Sequence, residues 1–232
     1  MDPTASQTPL KSKKSDQTEP QLVLNEIFFS IQGESSFAGR PCIFVRLTGC
    51  DLRCSWCDTA YAFHEGKKQT LTSIVQEVQK YPSKLVEITG GEPLLHKNTP
   101  LLAKNLLQSG YTVLIETSGS QDISVLEREV IKIVDVKCPG SGENHRNRLQ
   151  NLAHLAPWDE LKFVIKDEDD YRWARAFCEK ELKGFSQTIL FSPVFGQLEN
   201  QKLAQWILKD GLDVKMQLQM HKYIWDPNCR GV

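Results

Sequence analysis

Short runs of apolar and β-branched residues alternate with longer stretches in which apolar positions recur every three or four residues, and this alternation extends from residue 22 to near the C-terminus. The runs at 85–88 (LVEI), 112–116 (TVLIE), 131–137 (IKIVDVK), 161–165 (LKFVI), 188–191 (TILF) and 214–219 (VKMQLQ) predict β-strands. Helical spacing predicts helices over 70–80, 148–155, 169–182 and 198–209, the last closing at Gly211. Another helix starts at Thr99 and Pro100, in the preferred order of cap and first turn, and ends at Gly110. Strand and helix in repeated alternation imply parallel strands joined by right-handed crossovers, hence an α/β fold that is either a barrel or a doubly wound sheet. In both architectures the ligand site gathers at the carboxyl ends of the strands.

Residues 1–21 break the pattern. They are polar, rich in Ser, Thr, Pro and Lys, and lack apolar periodicity, which predicts a disordered tail and leaves 22–232 as one domain. The basic run at 11–14 is read as solvated, without a function of its own. The 232 residues are 40% hydrophobic and 25% charged, enough for one sizeable core. With 28 basic against 29 acidic residues the formal net charge is -1, which gives no global attraction for nucleic acid and favours a small-molecule partner. No apolar stretch approaches the ~20 residues of a membrane span, and no signal peptide is evident, so a cytoplasmic protein is expected.

Cysteine usage changes the picture most. Cys50, Cys54 and Cys57 fall within eight residues, as Cys-x3-Cys-x2-Cys. Zinc would call for four ligands in two separated pairs, and no second Cys-x2-Cys or His pair follows. Seven cysteines, an odd number, in a reducing compartment argue against a disulfide framework. Three thiolates at this spacing can hold a 4Fe-4S cluster with one iron left for a substrate or cofactor. Cys42, Cys138, Cys178 and Cys229 lack such clustering and read as buried or incidental thiols. The triplet, with an aromatic residue before its last cysteine, resembles that of the radical S-adenosylmethionine (SAM) superfamily.

The strand ends carry the remaining candidates. The 85–88 run leads into Thr89-Gly90-Gly91-Glu92-Pro93, where paired glycines either mark a turn or let the backbone approach a ligand. In this position the segment resembles the one that radical SAM enzymes use to bind the amino group of SAM. The next strand ends in Glu116-Thr117-Ser118-Gly119, either a capped turn or a set of oxygens for ribose hydroxyls. The strand after it ends in Asp135-Val136-Lys137-Cys138-Pro139-Gly140, whose charge pair is either a structural ion pair or part of the same site.

A narrower resemblance rests on several segments in order: Ser30-Ile31-Gln32-Gly33-Glu34, Phe44-Val45-Arg46-Leu47-Thr48-Gly49-Cys50, Cys57-Asp58-Thr59 and His221-Lys222-Tyr223. Together, from about residue 22 to the end, they are similar to the 7-carboxy-7-deazaguanine synthase (QueE) family. The resemblance implies an open, partial TIM-like barrel of parallel strands. It assigns Ile31, Gln32, Gly33, Glu34, Thr89 and His221 to substrate binding and Arg46 to the substrate carboxylate. A guanidinium fork suits that task. Read alone, Arg46 would be a surface strand residue and His221 a satisfied core histidine. Gly90, Gly91, Glu92 and Ser118 would meet SAM, as would the Lys137-Cys138-Pro139 stretch, which departs in identity from the Ser-Pro-Lys of better-known members. Thr59 would ligate Mg2+, shared with substrate oxygens; without the resemblance it is a cap or turn residue. The C-terminal carboxylate of Val232 would lie near the substrate.

The implied reaction begins with one-electron cleavage of SAM to a 5'-deoxyadenosyl radical, which takes hydrogen from 6-carboxy-5,6,7,8-tetrahydropterin. Ring contraction with loss of ammonia follows, giving 7-carboxy-7-deazaguanine, a precursor of queuosine. A flavodoxin or ferredoxin donor and a homodimer are implied as well. Two alternatives remain at this stage: a glycyl-radical activating enzyme, which would not require the Ile-Gln-Gly and Arg46 elements, and a non-catalytic iron-sulfur or zinc module.

Overall fold

Nine strands join in one sheet in the computed structural model, which describes residues 19–232. The strands are β1 (Gln21–Ile31), β2 (Pro41–Leu47), β3 (Lys67–Thr70), β4 (Leu85–Gly90), β5 (Thr112–Thr117), β6 (Ile131–Asp135), β7 (Glu160–Ile165), β8 (Thr188–Pro193) and β9 (Lys215–Met216). Their order is β3-β1-β2-β4-β5-β6-β7-β8-β9. From β2 to β9 all neighbours are parallel, while β1 runs antiparallel to both β2 and β3. The sheet is open, yet it curls. The turn after β1 reaches the far strands, with Ser35 N donating to Gln217 Oε1 at 2.7 Å and Ser36 N donating to Glu160 Oε1 at 3.0 Å.

The helices are α1 (Leu71–Val78), α2 (Thr99–Gln108), α3 (Glu168–Glu181), α4 (Asn200–Asp210) and the single turn α5 (His221–Ile224). Local chemistry sets their ends. Thr70 caps α1 by accepting from Ser73 N, Asp167 caps α3 through Asp170 N, and Gly211 closes α4 in the left-handed region at φ +61°. At α2, Thr99 is the first helical residue rather than the cap. It is fully buried and its hydroxyl donates to Pro93 O, while Asn98 takes the position before it. No helix among the described residues is long and apolar enough to cross a membrane.

Several expectations are corrected. The stretch 148–155 forms 3-10 turns (Leu149–His154) rather than an α-helix, because it is held from outside. The buried Asn151 amide donates to Gly119 O and Gln121 O and accepts from Ile123 N. The strand expected over 214–219 keeps only Lys215–Met216, since beyond it Gln217 and Gln219 turn their side chains toward Glu34. Of the tail expected over 1–21, residues 1–18 lie outside those described. Residues 19–21 belong to the domain: Gln21 pairs with Thr70, and Glu19 and Pro20 accept from the first amides of α1. The sequence pattern also gave no warning of β1 and β3, whose positions are mostly half-buried or exposed and therefore mix polar with apolar residues.

Alternate residues on each strand face opposite ways. Ile43, Val45, Val86, Ile88, Val113, Ile115, Leu161 and Phe163 join the helices in the main core. On the inner face, Phe28, Cys42, Phe44, Leu85, Leu114 and Ile133 form a smaller apolar cluster at the amino ends of the parallel strands. One pleat further along, the same inner rows become polar: Arg46, Glu87, Glu116, Asp135 and Lys162.

Candidate active site

The inner face opens into a cavity of about 920 Å³. That lies near the upper end of the roughly 300–1,000 Å³ found for small-molecule sites, with room for two small ligands. Cys50, Cys54 and Cys57 all line it. Their loop leaves β2 through Gly49 at φ +100° and is fastened at several points. Glu92 N donates to Gly49 O at 2.8 Å, Ser55 N to Ser141 O at 3.1 Å, and Arg53 N to Glu143 Oε1 at 2.6 Å. Asp51 accepts from Ser120, Gln121 and Arg146.

The paired glycines after β4 have a packing reason. A Cβ on Gly90 would collide with Leu47 O, and one on Gly91 would collide with Gly49 O and lie 2.7 Å from Cys50 Cβ. Close approach of β4 to the cysteine loop therefore demands glycine at both positions. The amides of Gly91 and Glu92 are engaged in that contact, donating to Leu47 O and Gly49 O, and are not free for a ligand.

Burial pushes the Cys50 thiol up to about 11 and raises Cys54 and Cys57 as well. A metal binding here must displace those protons. Among the described residues no three His, Cys, Asp or Glu side chains converge as ligands of a single ion. A four-iron cube makes no such demand, since each thiolate takes a different iron, and soft sulfur donors suit it. The triplet thus fits a cluster better than it fits zinc.

Below the cysteines lies a charged floor. Lys162 Nζ is 2.8 Å from Glu34 Oε2 and 3.5 Å from Asp135 Oδ1, and it also bonds Glu116. Lys137 Nζ meets Asp135 Oδ2 at 2.6 Å. Glu87 accepts from Gln32 Nε2. The electrostatics divide the four carboxyls. Burial, reinforced by Glu116 and Glu34, raises Glu87 well above the ordinary carboxylate value and disfavours its charged form. Burial also raises Glu116, against the pull of Lys162. At Glu34 and Asp135 burial pushes upward too, but Lys162, joined by Lys137 at Asp135, outweighs it and both stay ionised.

Arg46 enters from β2 with its side chain only 16% exposed, and its Nε donates to Glu26 Oε1 at 2.8 Å. His221 packs on Gly33, where any Cβ would strike its ring, and Met220 N donates to Gly33 O at 2.9 Å. Burial lowers the His221 pKa, which favours the neutral imidazole. Thr59 Oγ1 donates to Asp58 Oδ1 at 2.9 Å, and Lys222 Nζ lies 2.6 Å from Asp58 Oδ2.

The cavity brings together most of the residues singled out from the sequence. Ile31, Gln32, Gly33, Glu34, Arg46 and Thr89 line it. So do Thr59, Gly90, Gly91, Ser118 and Lys137, as well as His221 and Val232. Three assigned residues do not reach it. Glu92 is fully buried behind the glycines, where its carboxylate accepts from Leu94 N, Thr117 Oγ1, Ser118 N and Ser118 Oγ; it braces the Thr117–Ser118 turn instead of meeting a ligand. Cys138 is packed in the main core, and Pro139 opens a surface 3-10 turn, so only Lys137 of that stretch points inward. Conversely, Cys229, read as incidental, lines the cavity. Glu87, Lys162, Gln219 and Lys222 line it too, and sequence reasoning passed over them. The signal at Lys162 was a lone charge at an inward position of an apolar strand.

Comparisons with known proteins agree with this geometry. The radical SAM superfamily matches residues 44–136, from β2 and the cysteine loop through β6. The chain is 48% identical over 227 residues to the 7-carboxy-7-deazaguanine synthase of Koribacter versatilis, covering 91% of this chain and 100% of that one. It is 46% identical over 218 residues to the synthase of Chlorobaculum tepidum, covering 93% and 99%. The crystal structure of QueE from Escherichia coli shares the fold with a TM-score of 0.74 at 23% identity, covering 87% of this chain and 95% of that one. Identity of this order over more than nine-tenths of the chain shows that it belongs to the 7-carboxy-7-deazaguanine synthase family of radical SAM enzymes.

Proposed function

We infer that this chain is a radical SAM lyase that converts 6-carboxy-5,6,7,8-tetrahydropterin to 7-carboxy-7-deazaguanine and ammonia, on the way to queuosine and other 7-deazapurines. One observation carries the reading beyond family membership: the three cysteines, the Arg46 guanidinium and the Ile31–Glu34 turn face a single cavity. A 4Fe-4S cluster on Cys50, Cys54 and Cys57, together with SAM, supplies the one-electron chemistry that starts the reaction.

The chain's own residues bind and orient. Arg46 offers its fork to the substrate carboxylate. Gln32, Glu34 and Thr89 meet the polar edges of the pterin, and His221 closes against Gly33 as an uncharged wall. On the cysteine side, Ser118 and Lys137 present polar groups to SAM, with Gly90 and Gly91 leaving the backbone bare beside it. Thr59 would offer one hard oxygen to Mg2+, an ion that would help hold an anionic substrate. A flavodoxin or ferredoxin donor, a homodimeric assembly and a cytoplasmic setting complete the reading.

The test is anaerobic reconstitution with iron and sulfide, then incubation with SAM, reductant and the carboxylated pterin. Mass spectrometry should detect 7-carboxy-7-deazaguanine, with one ammonia released per product. Cys54→Ala should give none. Absence of product from the intact protein, or full turnover by the variant, would overturn the assignment.

A further inference from the structure

Arg46 does not stand alone on its strand. Glu26 lies directly opposite it in the β1–β2 register, and the Glu26 carboxylate takes only the Nε proton of the guanidinium, at 2.8 Å. Among the described residues neither terminal nitrogen of Arg46 has an acceptor, although the residue lines the cavity. Tyr61 fixes the carboxylate in turn, its hydroxyl donating to the same Oε1 at 2.8 Å. The guanidinium carbon lies 5.4 Å from the Phe28 ring centroid and 5.8 Å from that of Tyr61, so aromatic faces restrict its swing.

We propose that Glu26, held by Tyr61, is a positioning residue: by occupying Nε it turns the two terminal nitrogens of Arg46 toward the cavity, where they form the fork that selects a carboxylated substrate. A carboxylate that binds both Nε and a terminal nitrogen would consume the fork; one that binds Nε alone aims it. The pattern suits an anionic planar group in the cavity, because a lone arginine without a fixed partner would lose side-chain entropy on binding. Tyr61 lies four residues beyond Cys57, so the same contact joins the cysteine loop to the substrate arm.

The inference rests on the assignment of Arg46 to the substrate carboxylate, and the test separates the two. Dissociation constants are measured by anaerobic calorimetry, on the reconstituted protein with SAM, for 6-carboxy-5,6,7,8-tetrahydropterin and for tetrahydropterin lacking the carboxylate. The quantity of interest is their ratio, which a general folding defect leaves unchanged. Glu26→Ala should reduce the preference for the carboxylated ligand about tenfold. Glu26→Gln, which keeps the Nε acceptor and loses the charge, should restore most of it. Tyr61→Phe should reduce it by about twofold to threefold. If Arg46→Met lowers the ratio while Glu26→Ala leaves it intact, Glu26 has no positioning role and the Arg46 assignment survives. If Arg46→Met leaves the ratio intact, the assignment itself fails and this inference with it. A Gln variant that binds no better than the Ala variant would also overturn the positioning account, since charge alone would then explain the effect.

Discussion

Lys162 and Phe163 are adjacent on β7, both almost wholly buried, and they point to opposite faces of the sheet. Phe163 packs against Phe177 and Phe191 at ring-centroid distances of 5.6 and 5.4 Å. Lys162 sits among Glu34, Glu116 and Asp135. The outer face is mostly apolar and serves stability, its buried Lys132–Asp159 ion pair standing out among the core side chains. The inner face is apolar only at its amino end, where Leu85, Leu114 and Ile133 close the floor, and it becomes ionic where the strands finish. Burial therefore means different things on the two faces. Outside, removing a side chain leaves a hole; inside, it leaves an unpaired charge.

The contrast can be broken first where the inner face meets the cysteine loop. Gly91→Ala puts a Cβ against Gly49 O and Cys50, so the loop must shift. A displacement near 1 Å costs about 100-fold or more in turnover, and iron bound per protomer after reconstitution should fall with it. Next, Lys162→Met strands the floor carboxylates and should lower turnover by roughly 100-fold through misplaced ligands. Product formation by mass spectrometry checks both. Phe163→Ala should instead cost about 3–5 kcal/mol in urea unfolding, while turnover per folded molecule at low temperature stays close to that of the unaltered protein. Activity tracking Phe163 rather than Lys162 would erase the division between faces.

The smallest expected effect concerns protons. Glu87 has a raised pKa in the folded state, so the folded protein holds a proton that the unfolded chain has released. Its stabilising contribution is complete below the ordinary carboxylate value of 4.5, and it is lost as pH rises through the raised one. Glu87→Gln removes that dependence. Across the window, the stability of the unaltered protein relative to the Gln variant should fall steadily as pH rises. Parallel urea-midpoint curves for the two proteins would mean that Glu87 titrates normally.

Much of this was legible in the residues themselves. Five of the six predicted strands stand close to their expected bounds, because parallel strands buried on both faces carry dense apolar runs, while the sixth keeps only Lys215–Met216. The cysteine triplet and the paired glycines are local signals, fixed by spacing and by the absence of a Cβ. Other features were hidden for identifiable reasons. Glu92, beside those glycines, read as a ligand contact, yet its four donors come from Leu94, Thr117 and Ser118, three of the four from the end of the next strand. The 148–155 stretch has helical spacing, but the hydrogen bonds that shape it run to 119–123.

Sequence alone determined most of the elements from β4 onward, the α/β class and the cysteine spacing suited to a cluster, because periodicity and ligand spacing act over a few residues. The charged floor was decided only by tertiary structure. Glu34 and Lys162 are 128 positions apart, and it is the curl of the sheet that makes them a pair and raises the pKa of Glu87 nearby. Ion pairing and desolvation depend on distance and burial in space, and neither quantity is written in the local order of residues.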